Sequence, residues 1–187
     1  MENATALADA GLRLERENKL NPRLLIRGVP CGLSPEEIQA NIVALNLKDQ
    51  DINKVKVIYL FPPREKRKTT NCVIEVSPDI RNLLMRENHI FIGYSSCKFS
   101  DHVRVLQCYK CLAFGHFAKD CKSSPLCGHC AGRHELRDCD RRAEAAVCGN
   151  CRKWSPNEQS THSAMDSYGC PLLRRKLTEK AKFINYG

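Results

Sequence analysis

The sequence predicts an α+β chain in two parts, a sheet-and-helix domain followed by small units rich in cysteine and histidine. Two observations predict this division. Strand-like alternation of apolar residues and two helix-start signals occupy residues 23–105. Nine of the twelve cysteines fall between Cys108 and Cys170, with several histidines among them. We therefore place a domain boundary near residue 105.

The first segment, residues 1–22, predicts a polar helix or a linker that ends before Asn21-Pro22. It is rich in charge and lacks the apolar core of a secretory leader. No part of the chain reaches the roughly 18 apolar residues that a membrane-spanning helix needs. We therefore expect no membrane partner and no secretion.

Residues 23–105 predict the element order β-α-β-β-α-β. Strand patterns occur in RLLIRGVP, INKVKVIYLF, NCVIEVS and HIFIGYSSCKFSDHV, and we expect the last to be a single strand. Helices are predicted from Ser34-Pro35 and from Ser77-Pro78, where a capping serine precedes a first-turn proline. This order is the ferredoxin-like pattern shared by RNA recognition motifs (RRMs).

The predicted sheet lacks the usual base-stacking residues of an RRM. RRMs stack bases on aromatic side chains of their first and third strands. The exposed positions on those strands are predicted to be Leu25, Asn71 and Val73, and none is aromatic. The loop after the second strand either contacts phosphates or is only a solvated charged loop. Its basic residues are Arg64, Lys66, Arg67 and Lys68.

The charge balance and the cysteine usage narrow the range of partners. The chain has 30 Lys and Arg against 21 Asp and Glu, for a formal net charge of +9. This balance favours a polyanionic partner, most simply nucleic acid. Without a secretory leader, clustered cysteines bind metal more often than they form disulfides.

The first cysteine cluster has the spacing Cys-x2-Cys-x4-His-x4-Cys. Its members are Cys108, Cys111, His116 and Cys121. Zn²⁺ takes four tetrahedral nitrogen or sulfur ligands, so three thiolates and one imidazole complete a closed structural site. The spacing resembles the zinc knuckle of retroviral and retrotransposon nucleocapsid proteins.

The resemblance to a knuckle assigns roles to the residues between the ligands. Tyr109 and Phe117 match the two positions that form an apolar platform for an unpaired base. Base stacking of this kind contributes roughly 1–3 kcal/mol per base. Three lysines around the platform can neutralise phosphates. These are Lys110, Lys119 and Lys122.

Two further clusters repeat the Cys-Cys-His-Cys order with altered loops. The second contains Cys127, Cys130, His134 and Cys139, and the third contains Cys148, Cys151, His162 and Cys170. Because each set is complete, we expect three Zn²⁺ ions, one in each of residues 106–123, 124–141 and 142–187. Trp154 in the third motif either stacks on a base or packs its own loop.

A different pairing of the same ligands is possible. Cys127, Cys130, Cys148 and Cys151 have the spacing of a zinc ribbon. The remaining His134, Cys139, His162 and Cys170 would then hold a second ion in a RING-like cross-brace, the arrangement of a protein-interaction adaptor of the ubiquitin-ligase type. We prefer the sequential pairing because all sets share one order of ligands.

The last stretch, PLLRRKLTEKAKFINYG, predicts a basic amphipathic helix from Pro171. Its leucine stripe either packs on the third zinc motif or contacts a partner helix or RNA.

No catalytic pattern accompanies the clusters. A catalytic zinc keeps an open coordination position, whereas each set here supplies four protein ligands. The chain has no His-Glu-x-x-His, P-loop or nucleophile elbow. In deaminases His-x-Glu precedes Cys-x2-Cys, but here His134-Glu135 follows it. We expect a protein without enzymatic activity.

An RRM-like domain followed by three CCHC motifs resembles the Gag-like first-reading-frame proteins of insect non-LTR (LINE-type) retrotransposons, the group of jockey and the I factor. The resemblance covers about residues 23–187 and includes HSAMDSYGCPLLRRKL in the third motif. It implies binding of the element's own RNA and of single-stranded DNA, packaging into ribonucleoprotein particles and strand annealing. Self-association and the element's reverse transcriptase are further candidate partners, and a cytoplasmic and nuclear location is implied.

Overall fold

The computed structural model describes residues 19–47 and 52–187. The helix predicted near the amino terminus therefore lies largely outside the described residues. The strands are β1 (Arg23–Pro30), β2 (Val55–Leu60), β3 (Thr69–Val76), β4 (Ile90–Ile92) and β5 (Ser95–Asp101). The helices are α1 (Pro35–Asn46), α2 (Pro78–Glu87), α3 (Gly149–Trp154) and α4 (Pro171–Ala181).

The strands form one antiparallel sheet in the order β2-β3-β1-β5-β4. Because side chains alternate along a strand, β1 and β3 each turn one row toward the two helices α1 and α2. That row and the apolar faces of the helices form the first core. Its largest fully buried members are Leu24, Ile26, Ile38, Ile42, Ile74, Ile80, Leu84, Ile90 and Ile92.

The predicted final strand is wrong in one respect, since it is two strands. Gly93 has a φ of 57°, in the left-handed region that glycine enters without steric cost. With Tyr94 it forms the turn of a hairpin between β4 and β5. The sequence HIFIGYSSCKFSDHV alternates well enough to hide this turn inside one strand-like run.

Both predicted helices of the sheet domain are confirmed, and their starts differ. At α1 the Ser34 hydroxyl accepts from the Glu37 N–H, and the Glu37 carboxylate accepts from the Ser34 N–H, which completes a capping box. At α2 the Ser77 side chain makes no capping hydrogen bond. Asp79 in the first turn still complements the helix dipole there.

The three cysteine-rich motifs pack together instead of lying along the chain as separate beads. A second core joins Leu112 of the first motif to Ala164 of the third and to Leu172 and Leu173 of α4, all of them buried, and Leu126 of the second motif packs against it. The predicted C-terminal helix is thus confirmed, and its leucine stripe packs on the third motif. Motifs too small to bury a core alone share one.

The chain after α4 returns to the sheet domain. Leu20 donates its N–H to the Phe183 carbonyl at 2.9 Å and accepts from the Asn185 N–H at 2.8 Å. The Arg81 guanidinium of α2 lies 4.5 Å from the centroid of the Tyr186 ring. These contacts tie the zinc-binding half to the sheet. Within the described residues no helix combines the length and the apolar character needed to cross a membrane.

Candidate zinc centres and nucleic-acid interface

The structure brings the predicted ligands together in three sets. Each of the three sequential Cys-Cys-His-Cys groups places its four ligand atoms within 4.8 Å of one another. In a tetrahedral site with Zn–S bonds of about 2.3 Å, ligand atoms lie about 3.8 Å apart. The donor sets and their spacing therefore fit three Zn²⁺ ions. The cross-brace pairing is wrong, because each histidine and fourth cysteine returns to its own Cys-x2-Cys turn.

The first centre is built on a tight turn. The Cys108 carbonyl accepts from the Leu112 N–H, and the Cys108 sulfur accepts from the Lys110 N–H at 3.4 Å. The Cys111 Sγ then lies 3.4 Å from the His116 Nε2. The turn bends because Leu112 adopts a φ of 61°, and the burial of its side chain in the second core offsets that strained conformation.

The second centre repeats the turn with smaller residues. Ala131 stands at the position of Leu112 and has a φ of 58°. The Cys130 Sγ lies 3.5 Å from the His134 Nε2 and 3.8 Å from the Cys139 Sγ. His129 is not a ligand, since its Nε2 lies 3.0 Å from the Glu144 carbonyl.

The third centre uses the starts of two helices. Cys148 caps α3 and Cys170 caps α4, and the sulfur of each accepts a backbone N–H at 3.4 Å. The Cys151 Sγ lies 3.6 Å from the Cys170 Sγ and 3.4 Å from the His162 Nε2. Since helix starts carry partial positive charge, they favour the thiolate form that Zn²⁺ binds.

Burial and backbone donors act in opposite directions on the thiols. Burial raises the pKa of Cys108, but the N–H groups of Cys111 and Lys110, together with hydrogen bonds from the Cys111 and Cys121 thiols, bring that pKa down to about 7. The balance is the same at Cys127, whose pKa also falls to about 7. At Cys170 burial dominates and raises the pKa to about 12. Burial also raises the pKa of Cys111, Cys139 and Cys148, so zinc binding at each of the three centres releases thiol protons.

The predicted stacking residues of the first motif are exposed. Tyr109 is 68% exposed and Phe117 is 58% exposed, and neither belongs to a core. Arg104 donates to the Tyr109 hydroxyl at 3.2 Å, and the Lys119 ammonium lies 5.9 Å from the Phe117 ring centroid. Two aromatic surfaces next to cations are thus open to solvent.

The basic loop between β2 and β3 is exposed along its length. A turn at its tip is closed by a hydrogen bond from the Arg67 N–H to the Arg64 carbonyl at 3.0 Å, with Lys66 at a φ of 64°. The loop carries Arg64, Lys66, Arg67 and Lys68, and none of the four lines either of the two clefts described next.

The outer face of the sheet holds aromatic residues that the sequence interpretation missed. Tyr59 and Phe61 at the end of β2 form an edge-to-face pair with centroids 4.8 Å apart. They line a cleft of about 260 Å³ with Val73 and His102. Val73 was expected to be exposed, but it is only 5% exposed because the cleft walls cover it.

Positive charge is concentrated in this sheet cleft. The pKa of His102 is lowered first by burial and then by the cations Arg104, Arg23 and Arg27. The signal that could have revealed the site is YLF at the end of β2. It was missed because an RRM comparison considers the first and third strands.

Trp154 of the third motif is 45% exposed and lines a second cleft, between the three motifs. The Lys153 ammonium lies 4.8 Å from the centroid of its ring. Of the two interpretations of Trp154, simple packing of its own loop is the poorer fit, because nearly half of the side chain is open to solvent.

Comparison with known families bears on the first centre. Residues 106–123 match the zinc knuckle family. The match covers all four ligands of the first set, and Tyr109 and Phe117 lie within the matched residues. The second and third centres repeat its order of ligands with shorter and longer loops.

Relatives of the chain occur in mobile elements. The nucleic-acid-binding protein from transposon X-element of Drosophila melanogaster is 42% identical over 45 residues, 24% of this chain and 9% of that protein. The nucleic-acid-binding protein from mobile element jockey of Drosophila funebris is 33% identical over 73 residues, 39% of this chain and 11% of that protein.

A longer similarity is weaker. The uncharacterized 50 kDa protein in type I retrotransposable element R1DM of Drosophila melanogaster is 21% identical over 171 residues, 88% of this chain and 35% of that protein. The chain thus spans about a third or less of the curated relatives it matches. No solved structure matches the chain.

Proposed function

We propose that the chain is a zinc-dependent, non-enzymatic binder of single-stranded nucleic acid, with RNA preferred over DNA. The observation that carries the proposal is the zinc knuckle with two exposed aromatic side chains among lysines. A flat ring accepts any unpaired base, and cations next to it neutralise the adjoining phosphates. The printed names of two relatives also support nucleic-acid binding.

In the proposed mechanism, the metal stabilises the fold and the side chains contact the nucleic acid. Zinc, when bound, supplies the folding free energy of loops that are too small to fold alone. Tyr109 and Phe117 then present stacking surfaces whose positions are fixed by the neighbouring ligands. Lys110, Lys119 and Lys122 provide charge around them. Affinity should therefore fall steeply with salt, because each phosphate contact releases a counterion.

The proposal extends to the biological role. We infer a Gag-like protein that packages its element's own transcript into ribonucleoprotein particles, assists annealing and is found in cytoplasm and nucleus. Self-association and the element's reverse transcriptase are proposed partners. The observed order is the β-α-β-β-α-β pattern with its last strand divided into the β4–β5 hairpin. This order and the β2-β3-β1-β5 arrangement support a ferredoxin-like, RRM-like sheet as part of this role. The basic loop at residues 64–68 would add phosphate contacts there.

The first test removes the stacking platform. We expect the double variant Tyr109→Ala/Phe117→Ala to lose roughly tenfold or more in affinity for single-stranded RNA, because each base loses about 1–3 kcal/mol of stacking. Fluorescence anisotropy across a salt series measures the affinity, and bound zinc is counted in the same samples.

The matched control is Tyr94→Ala/Tyr168→Ala, which removes two highly exposed tyrosines that line neither cleft. If the two double variants bind RNA with equal affinity at full zinc content, Tyr109 and Phe117 do not act as a stacking platform. Wild-type protein with three zincs and no affinity beyond that of a random basic protein would instead favour a protein-interaction adaptor. The adaptor alternative was based on the cross-brace pairing of ligands, and that pairing is wrong.

A further inference from the structure

A cleft of about 490 Å³ lies where the three zinc motifs meet. We call it the inter-knuckle cleft. Every motif contributes to its wall, which includes Ala113, Leu126, Arg133, Arg152, Lys153 and Trp154. No single motif could form it, so it exists only because the motifs pack against one another.

The walls of the inter-knuckle cleft are held by close contacts. Asn150, which is 1% exposed, donates its side-chain N–H to the Leu112 carbonyl at 2.7 Å. Leu126 donates its N–H to the Lys110 carbonyl at 2.8 Å. A Cβ atom at Gly149 would come within 2.9 Å of the Leu126 side chain, so the third motif approaches the start of the second as closely as glycine allows. The cleft is therefore a formed feature of the fold.

The charged side chains that line the inter-knuckle cleft are all positive. Arg133, Arg152 and Lys153 line it, and no Asp or Glu does among the residues that the structure describes. All three are exposed, and none forms an ion pair with another described residue. Cations gathered in a concave site without neutralising carboxylates attract an anion.

A stacking surface lies among these cations. Trp154 lines the inter-knuckle cleft and is half exposed, and the Lys153 ammonium lies against its ring. An indole beside several cations matches the two parts of a nucleotide, a flat base and a charged phosphate. An acidic peptide would satisfy the cations and leave the ring without a partner of its own shape.

We propose that the inter-knuckle cleft binds one nucleotide of a single-stranded nucleic acid, with its base on Trp154 and the phosphates on either side of it at Arg133, Arg152 and Lys153. This site rests on the proposed function and deepens it. It is separate from the Tyr109 and Phe117 platform and lies between the motifs. One strand that occupies both sites would be held at two points.

The test uses the fact that Trp154 is the single tryptophan of the chain. A fluorescein-labelled oligouridylate is titrated with zinc-loaded protein and followed by anisotropy. The unlabelled oligouridylate is added to the protein in a parallel titration, and tryptophan emission is recorded. We expect quenching of the emission with the same midpoint as the anisotropy change, because a base stacked on the indole quenches it.

The outcomes separate this site from the proposed function. An anisotropy change without quenching would overturn the inter-knuckle site and leave nucleic-acid binding standing. No change in either signal would overturn both. Equal quenching by polyglutamate at the same ionic strength would show a general anion or peptide site and would also overturn the nucleotide assignment.

Variants provide a second, independent readout. Trp154→Ala should weaken binding by roughly fivefold or more, and Trp154→Phe, which keeps a ring, should recover most of that loss. Arg133→Gln/Arg152→Gln should reduce the dependence of log K on log salt by about one to two.

The matched control for the charge variant is Arg86→Gln/Arg174→Gln, which removes two exposed arginines that line neither cleft. If both double variants lose affinity and salt dependence equally, only the net charge matters and the site is refuted. Zinc content of three in every variant establishes that the fold is retained.

Discussion

At the scale of single residues, the second centre depends on the absence of one side chain. A Cβ atom at Gly132 would lie 2.8 Å from the His134 Cε1 and 3.3 Å from the Cys130 Sγ. Both neighbours are ligands, so neither can move without leaving the metal. Glycine is needed here for space, although its backbone conformation is open to other residues.

Gly132→Ala is therefore expected to weaken zinc binding at the second centre specifically. In competition with a chromophoric chelator, the variant should lose one of its three zinc ions at a much lower chelator concentration than the wild type does. Gly128→Ala is the matched control, since its nearest neighbour is the flexible Met165 side chain at 3.2 Å. If the two variants release zinc alike, steric conflict with His134 is not the cause.

The ligands were the most predictable residues of the chain. Four donors at Cys-x2-Cys and short following gaps can reach one ion whatever the surroundings, so local spacing identified the first two sets. The shared Cys-Cys-His-Cys order identified the third set despite its longer gaps. The aromatic pair Tyr59 and Phe61 was not predictable in this way. Its position depends on which strand lies at the edge of the outer face and on what covers Val73, and both are properties of the assembled sheet.

At the scale of elements, the Leu112 carbonyl joins the first and third motifs. It accepts from the Gln107 side chain at 3.0 Å and from the buried Asn150 side chain at 2.7 Å. Gln107 also donates to the Ala164 carbonyl at 3.0 Å. Three separate turns of chain are thus fixed to one another by two amide side chains.

Asn150→Ala should destabilise the folded zinc-binding half by about 1–3 kcal/mol, because it removes a buried hydrogen bond and leaves a small cavity. Denaturant unfolding in excess zinc measures this loss. Asn157→Ala, at an exposed position of the same motif, is expected to change stability by less than about 0.5 kcal/mol. If Asn150→Ala lowers the free energy of unfolding by no more than Asn157→Ala does, the motifs are not coupled through Leu112.

Helices and most strands followed from local patterns, and the packing of the motifs did not. The serine-proline starts of α1 and α2 and the alternation of β1 and β3 are encoded in neighbouring residues. Contacts between motifs depend on single amides and on a glycine against a leucine. Such contacts have no periodic pattern in the sequence.

At the scale of the whole molecule, residues 183–187, which we call the tail, connect the two halves. Beyond α4, residues 183–186 contact Leu20, just before the sheet domain, and Arg81 and Asn82 within it. The linker after β5 connects the two halves covalently, and the tail adds noncovalent contacts between them.

Removal of residues 183–187 should free the halves without unfolding either. Zinc content should stay at three, and amide ¹⁵N relaxation should give separate rotational correlation times for residues 23–101 and 108–181. The conservative variant Tyr186→Phe keeps the ring over Arg81 and should retain a single correlation time. A truncated chain that still tumbles as one body would show that the tail does not hold the halves together.

The return of the tail to Leu20 also has a consequence for synthesis. Leu20 leaves the ribosome before residues 183–185 do, so its backbone groups have no partner there until those residues have been made. The sheet can form and each centre can acquire its ion during that time, because both need only residues already made. The sheet cleft is different, since Lys180 and Ile184 form part of its wall. It is completed only after Ile184 emerges, and a chain that stops before that residue cannot present it.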